Sequence, residues 1–422
     1  MLKSTIHKYF KSEFARNVLT IFTGSSIAQI IPFLVTPILT RLYSPEDFGL
    51  LALFTSITGI IAIIATLQYE SAIMLPKDDN DALNIVALCL SISLVISIFS
   101  FLGISLFNKT IAHWLGNDRL SFWLYFVPIS VFLSGLFNTL NYWSSRKKQF
   151  KRLAIRSVSQ SSTSALVKLS MGSAGATKSG LITGTLAGQA TATGLLTWLI
   201  YKEDKTLLAN ISKDRILQNA KTYRNFPKYT AWQGFFDIFN DSSTNFIISN
   251  FFGIQILGFY SFSVSLLQKP LQLIGTSVGQ VYYQRGSEIY NVGGNIWGIT
   301  KKIVIRLSII SLIIFVPIAI AGPKIFSLIF GKEWYNAGVY ARLLLPWLVV
   351  RFIGSPITSS MNILGKQKEF LFFTVIINLL FPLILLFSFK NGFPFTLSIL
   401  FVSIITSIYL MFIIIWIKRK MQ

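Results

Sequence analysis

The sequence predicts an all-α integral membrane protein with twelve transmembrane helices in two six-helix lobes. Three observations carry this. Only 13% of the 422 residues are charged, about half the share of a soluble protein. Apolar runs of about 20 residues, the number a helix needs to cross a bilayer, recur between charged, Gly and Pro breaks. Lys and Arg are distributed unequally between alternate connections, which gives the runs a direction.

The runs fall near 17–40, 48–73, 83–106, 120–143, 154–174 and 180–201, then near 229–251, 256–282, 299–321, 338–362, 369–389 and 395–417. The first has no small-residue cleavage site and leads at once into the second, so it reads as a span and not a removable signal. Span 1 carries Ser25, Gln29, Thr36 and Thr40 along one side; span 2 carries Thr55, Thr58, Thr66 and Glu70. Span 3 is much more apolar. Span 4 offers Ser134, Asn138 and Asn141, and span 5 sets Ser157, Gln160, Ser161, Ser164 and Lys168 on one stripe. In span 6, Gly180, Gly184 and Gly188 recur at every fourth residue, the pattern of a close-packing face.

The connection from Lys202 to Lys228 is the longest polar stretch, and it separates the two sets of six. Leu207, Leu208, Ile211, Ile216 and Leu217 recur within it at helical spacing and predict a short helix on the membrane surface. The expected organisation is therefore an N-terminal lobe over 1–205, a linker over 206–228 and a C-terminal lobe over 229–422. Span 7 carries Thr230, Gln233, Asp237, Asp241 and Asn245. Span 8 carries Ser261, Ser265, Gln268, Lys269, Gln272, Thr276 and Gln280, with Pro270 placed to bend it. Spans 9 and 12 are apolar. Span 10 holds Arg351, Ser355, Thr358, Ser359 and Asn362, while span 11 has only Asn378 of similar character.

The 38 lysines and arginines test this count. With the N-terminus inside, the outer connections hold only Arg41, Lys109, Arg119, Lys178, Lys324, Lys332, Arg342 and Lys390. The clusters around Arg146 to Arg156, Lys202 to Lys228 and Lys418 to Lys420 all fall inside. This is the positive-inside pattern for cytoplasmic N- and C-termini, and it accounts for the net charge of +22 without nucleic acid. Trp114, Trp143, Trp198, Trp297, Trp334 and Trp416 lie near run ends, as an interfacial belt requires. The single cysteine, Cys89, excludes an internal disulfide.

The halves also show weak internal similarity. Leu42-Tyr-Ser-Pro-Glu-Asp-Phe-Gly49 before span 2 parallels Phe251-Phe-Gly-Ile-Gln-Ile-Leu-Gly258 before span 8. Arg146-Lys-Lys-Gln-Phe150 parallels Lys366-Gln-Lys-Glu-Phe370. An even number of spans per half makes this a parallel repeat, suited to two bundles rocking about a midplane site. The matching stripes predict a cavity between the halves, lined by spans 1, 2, 4, 7, 8 and 10, with Gln29, Asn138, Gln272 and Ser355 on its walls.

Five charges lie inside the runs: Lys168, Asp237, Asp241, Lys269 and Arg351. Each costs about 2.5–3.5 kcal/mol at a helix centre on the insertion scale, so all five facing lipid would exceed the stability of a typical domain. They must point into a protein-lined interior. Lys168, Lys269 and Arg351 would give it a cationic character suited to phosphate, pyrophosphate or an acidic sugar. The bland reading pairs them with Asp237, Asp241 or Glu70. Asp237 and Asp241, one helical turn apart, are candidates with Glu70 for binding a coupling ion, H+ or Na+. No cofactor or metal is expected. Gly172-Ser-Ala-Gly-Ala-Thr-Lys178-Ser179 imitates a phosphate-binding loop, but Thr177 stands where that motif needs Gly and no strand precedes it.

Leu42-Tyr-Ser-Pro-Glu-Asp-Phe-Gly-Leu50, Tyr69-Glu-Ser-Ala-Ile-Met-Leu-Pro-Lys77, Gly331-Lys-Glu-Trp-Tyr-Asn-Ala-Gly338 and Leu345-Pro-Trp347 resemble, in that order, the Wzx-type polysaccharide flippases of the multidrug/oligosaccharidyl-lipid/polysaccharide (MOP) exporter superfamily. The resemblance covers essentially the whole chain. It implies a MATE-like fold that is not an enzyme. It also implies movement of undecaprenyl-pyrophosphate-linked O-antigen or capsule units across the bacterial inner membrane by alternating access, alongside a polysaccharide polymerase and a chain-length regulator. The related lipid II flippases use an acidic residue in the seventh span for Na+, the span that here carries Asp237 and Asp241. The alternatives are a multidrug exporter of the same superfamily, which usually binds organic cations, and a polysaccharide polymerase or ligase, which generally needs a large outer loop.

Overall fold

The computed structural model describes residues 13–204 and 210–421; the side chains of 13–22, Ser25, Gln233, Asp237, Leu273 and Gln367 lie outside that description. It contains no strand among the described residues. The helices are α1 (Glu13–Leu42), α2 (Pro45–Ala62), α3 (Asp79–Trp114), α4 (Leu120–Leu124), α5 (Val127–Arg146), α6 (Phe150–Ser173), α7 (Thr177–Asp204) and α8 (Lys213–Thr222). They continue as α9 (Ala231–Ile247), α10 (Ile254–Asn291), α11 (Trp297–Phe330), α12 (Tyr335–Leu343), α13 (Leu345–Ile357), α14 (Ser360–Ile363), α15 (Gln367–Lys390) and α16 (Phe395–Met421).

Each of the twelve expected stretches coincides with a helix or with one broken at a definite point. Among the described residues, six stretches are long and apolar enough to cross a membrane: Pro45–Ala62, Asp79–Trp114, Leu120–Arg146, Trp297–Phe330, Lys368–Lys390 and Phe395–Met421. A seventh is bent by 55° between Lys332–Leu343 and Leu345–Ile363, just ahead of Pro346, which lacks a backbone donor. Helices α6, α7 and α10 are long enough but more polar, because they carry the polar and glycine stripes. α10 runs unbroken through Pro270, and its 38 residues make it about 57 Å long, well beyond a hydrocarbon core of about 30 Å.

Local chemistry sets the helix ends. Ser44 and Asp47 form a reciprocal capping box ahead of α2, with Pro45 in its first turn. Asp78 caps α3 by accepting from the Asn80 amide. Ser212 caps α8, so the amphipathic linker helix begins at Lys213; Leu207 and Leu208 lie outside the described residues. Asn219 of α8 donates to the Asp81 carbonyl at 3.3 Å, and Ile216 and Ala220 pack on the core formed by Tyr69, Leu83, Cys89, Leu140 and Trp143.

The chain divides into two compact units, one ending at Ser242 and the other beginning at Ser243. Most of α9 thus lies with the first unit, because it rests on α2. A Cβ on Gly59 would touch Ile238 at 3.6 Å, one on Gly234 would meet Ile63 at 3.0 Å, and the Ser242 hydroxyl donates to the Ser56 carbonyl at 3.3 Å.

A repeated hairpin connects the two units in architecture. α6 and α15 are both 24 residues long. Each starts two residues after a left-handed residue, Lys148 (φ 54°) and Gly365 (φ 67°), and each ends two before a left-handed glycine, Gly175 (φ 78°) and Gly392 (φ 69°). The turn bonds match as well: Gln149 donates to the Ser144 carbonyl and Lys366 to that of Met361. The expected pairing of Phe150 with Phe370 is therefore displaced, and Phe150 corresponds to Gln367. Alignment by charged residues hid this, since Lys148 takes a conformation that glycine takes in the second copy.

Candidate substrate site

The first unit contains a cavity of about 180 Å³ walled by Pro32, Val35 and Leu39 of α1, by Gln160, Ser161, Ser164, Ala165 and Lys168 of α6, and by Thr185 of α7. The glycine stripe builds it. A Cβ on Gly184 would stand 2.5 Å from Lys168 Cγ and 3.0 Å from the Ser164 carbonyl oxygen, and one on Gly188 would stand 2.8 Å from the Gln160 carbonyl oxygen. Only glycine lets α7 lie this close to the polar stripe of α6. Buried Tyr43, after α1, donates its hydroxyl to the Lys168 carbonyl at 2.6 Å and occupies the space beside Gly172 and Gly180. The phosphate-loop look-alike is the α6–α7 turn, made around left-handed Gly175.

The other predicted residues of this unit sit elsewhere. Gln29 is exposed on α1, outside the lining of this cavity, and Asn138 is half-buried on α5. Glu70 does not continue the stripe of α2. That helix stops at Ala62, Leu67 and Gln68 adopt φ of 50° and 63°, and Glu70 sits on a 3-10 turn, Tyr69–Met74. It is buried and accepts a hydrogen bond from the Thr66 hydroxyl. Several stripe hydroxyls are spent within their own helices, Thr36 on the Pro32 carbonyl at 2.6 Å and Thr55 on that of Leu51 at 2.9 Å.

Asp237 and Asp241 both belong to the part of α9 that rests on α2. The Asp237 side chain lies outside the description; Asp241 is exposed. The acidic pair thus shares a compact unit with Lys168 and not with Lys269 and Arg351, contrary to the expected grouping.

In the second unit, α10 and α13 meet at small residues. A Cβ on Gly275 would lie 3.3 Å from Ser355 Oγ, and one on Gly279 3.7 Å from Pro356 Cα. Both helices run the same way through this contact. Lys269 lies six residues before Gly275 and Arg351 four before Ser355, so at about 1.5 Å per residue the two cations stand within about 3 Å of the same level. Both are exposed, as are Gln272 and Ser355, and the Arg351 guanidinium lies 5.1 Å from the centre of the Trp347 ring. Lys269, Gln272, Arg351 and Ser355 thus belong to one unit, on two helices that touch at Gly275 and Ser355.

Sequence reading missed a second set of charges near the ends of the first unit's helices. Arg146 binds Asp79 at 2.9 Å and the Ile73 and Pro76 carbonyls at 3.0 and 2.8 Å, while Lys147 binds Asp79 at 2.7 Å. These bonds, led by that from Lys147, hold the Asp79 carboxyl below its ordinary pKa. Arg152 binds Glu203 and, at 3.1 Å, Asp204. The Trp143 indole also donates to Asp204 at 3.1 Å, so Trp143 is core and not interfacial. Trp334 is likewise fully buried, against Phe259 and Phe262. Trp114 and Trp198 are exposed as expected.

The fold is that of a multi-pass membrane transporter. A multidrug resistance MATE family transporter of the MOP superfamily, in an inward-facing conformation, superposes with a TM-score of 0.69 at 13% identity over 94% of this chain and 98% of its own. The lipid II flippase MurJ gives 0.67 at 15% identity over 94% and 89%. A MOP superfamily transporter from Pyrococcus furiosus, described as having a binding pocket of reversed polarity, gives 0.65 at 13% identity over 98% and 97%. Residues 38–338 match the model of the polysaccharide biosynthesis protein family, and the chain belongs to that family. An uncharacterized membrane protein of a cps region in Klebsiella pneumoniae is 20% identical over 359 residues, 85% of this chain and 73% of that protein.

Proposed function

We propose that the protein is a flippase that moves undecaprenyl-pyrophosphate-linked oligosaccharide repeat units, of O-antigen or capsule, from the inner to the outer leaflet of the bacterial inner membrane. The observation that carries this reading is the placement of the cations, Lys168 in the lining of a cavity and Lys269 level with Arg351, in a transporter fold of a polysaccharide biosynthesis family. Pyrophosphate and acidic sugars need such groups: Arg offers two parallel donors and Lys a point charge. An exporter of organic cations has no use for them. The lysine and arginine asymmetry supports cytoplasmic termini. Coupling to H+ or Na+ through Asp237, Asp241 or Glu70, by alternating access, supplies the drive, and a polymerase and chain-length regulator would take up the product.

The test is export in cells at matched expression. Lys269→Ala and Arg351→Ala are expected to reduce surface polysaccharide by about tenfold or more, the scale of one lost charge-assisted contact. Lys390→Ala, at the exposed end of α15, should leave it unchanged. Equal effects of all three would overturn the cationic-site assignment.

A further inference from the structure

The second unit provides an internal control for the cavity in the first. Because α6 and α15 correspond residue for residue, the lining residues of α6 have counterparts in α15; α7 and α16 start two and three residues after their left-handed glycines, so their register is shifted by one. Ser161 corresponds to Asn378, Ser164 to Phe381 and Lys168 to Leu385, while Gly184 corresponds to Val402 and Thr185 to Ser403. Phe381, Leu385 and Val402 are all buried, and Phe381 stacks edge-on against Trp347 at 5.8 Å. Leu385 therefore lies in the buried core of one copy where Lys168 lines a cavity in the other. The fold does not require the cavity, and it does not require a lysine there.

The size of the cavity narrows its occupant. Small-molecule pockets commonly span about 300–1,000 Å³, so about 180 Å³ holds one charged group and its waters, not a whole sugar repeat. One ammonium, the Gln160 amide and the hydroxyls of Ser161 and Ser164 can donate to an oxyanion, whereas the Thr185 hydroxyl is spent on the Leu181 carbonyl at 2.9 Å. The α1 wall, Pro32, Val35 and Leu39, is apolar.

We propose that this cavity is a binding site for a single carboxylate or phosphate group, with Lys168 as its cation and Gly184 and Tyr43 as positioning residues that fix the lysine. The assignment deepens the flippase reading and rests on it for the source of the anion, an acidic sugar or a phosphate of the carried lipid-linked saccharide. Gly184 acts by letting α7 pack directly against the stem of Lys168, which lines the cavity. Tyr43 pins the backbone of the same residue.

The experiment measures binding of methyl glucuronide, inorganic phosphate and methyl glucoside to the full-length protein in a neutral detergent, by calorimetry and by the shift in thermal midpoint. At least one anion should bind and stabilise the wild type, while methyl glucoside should not; which anion binds identifies the source. Lys168→Met keeps the stem and is expected to weaken binding at least about tenfold. Gly184→Ala should weaken it as well, whereas Gly194→Ala, whose added methyl meets nothing within 4 Å, should not. In the Lys168→Met background Gly184→Ala should cost no further affinity, because it acts through the lysine. Equal binding by wild type and Lys168→Met, or equal binding of methyl glucuronide and methyl glucoside, would overturn the site. An additive effect of Gly184→Ala would overturn its positioning role. A wild type that binds anion through Lys168 yet moves no lipid-linked saccharide would refute the flippase reading alone.

Discussion

Gly338 closes the segment Gly331-Lys-Glu-Trp-Tyr-Asn-Ala-Gly338, and its replacement by alanine should be costly for a reason visible in the backbone. An added Cβ would stand 2.6 Å from both the Gly322 carbonyl oxygen and Pro323 Cα. Comfortable contacts begin near about 3.5 Å, so α12 must retreat from α11 by about 1 Å. No flexible side chain can yield instead. Overpacking costs about 1–3 kcal/mol, and backbone against backbone belongs at the upper end. At about 2–4 °C per kcal/mol for a unit of this size, the thermal midpoint should fall by about 5–10 °C. Tryptophan fluorescence of the detergent-solubilised protein reads it, since Trp334 is fully buried beside Phe259 and Phe262. Gly298→Ala meets nothing within 4 Å and should leave the midpoint unchanged or slightly raised, alanine being the better helix former. A Gly338→Ala midpoint indistinguishable from wild type would refute the reasoning.

Other outcomes follow from the charge network of the first unit. Arg152→Met should lower the midpoint by about 6 °C or more, because breaking a buried pair costs about 3–5 kcal/mol. Asp204, 10% exposed, carries that cost, while Glu203, 44% exposed, adds little. Adding Asp204→Asn should recover part of the loss, and its failure to do so would show that packing dominates. The Asp79 carboxyl has a lowered pKa in the fold, so its stabilisation is present above the ordinary value near 3.8 and lost as pH falls through the lower folded value. Wild type should therefore exceed Asp79→Asn in midpoint at neutral pH and converge with it on acidification below about pH 4; a constant difference would contradict the ion-pair account.

The helices were legible because apolar runs of membrane length admit one reading, and the order of the motifs at Leu42 to Leu50, Tyr69 to Lys77, Gly331 to Gly338 and Leu345 to Trp347 carried the family. What escaped were features fixed by distant partners. The break after Ala62 contains neither Gly nor Pro, so Ile63 to Gln68 reads as more helix, and Glu70 was placed on a stripe it does not join. Trp143 lies at a run end like an interfacial anchor, but Asp204, far along the chain, satisfies its indole in the core. The glycine stripe of α7 was legible as close packing. That it shapes a cavity around Lys168 required knowing that α6 lies across it and that Leu385 fills the equivalent place in the second unit.

The central claim is tested most directly by reconstituting the purified protein in liposomes with a fluorescently labelled undecaprenyl-pyrophosphate oligosaccharide and following quenching by a membrane-impermeant reductant. The account predicts that label buried in the inner leaflet becomes accessible in protein-containing vesicles when a proton or sodium gradient is imposed, with slower exposure for Lys269→Ala and Arg351→Ala. Exposure no faster than in protein-free vesicles, accompanied by gradient-driven movement of a cationic dye, would contradict it.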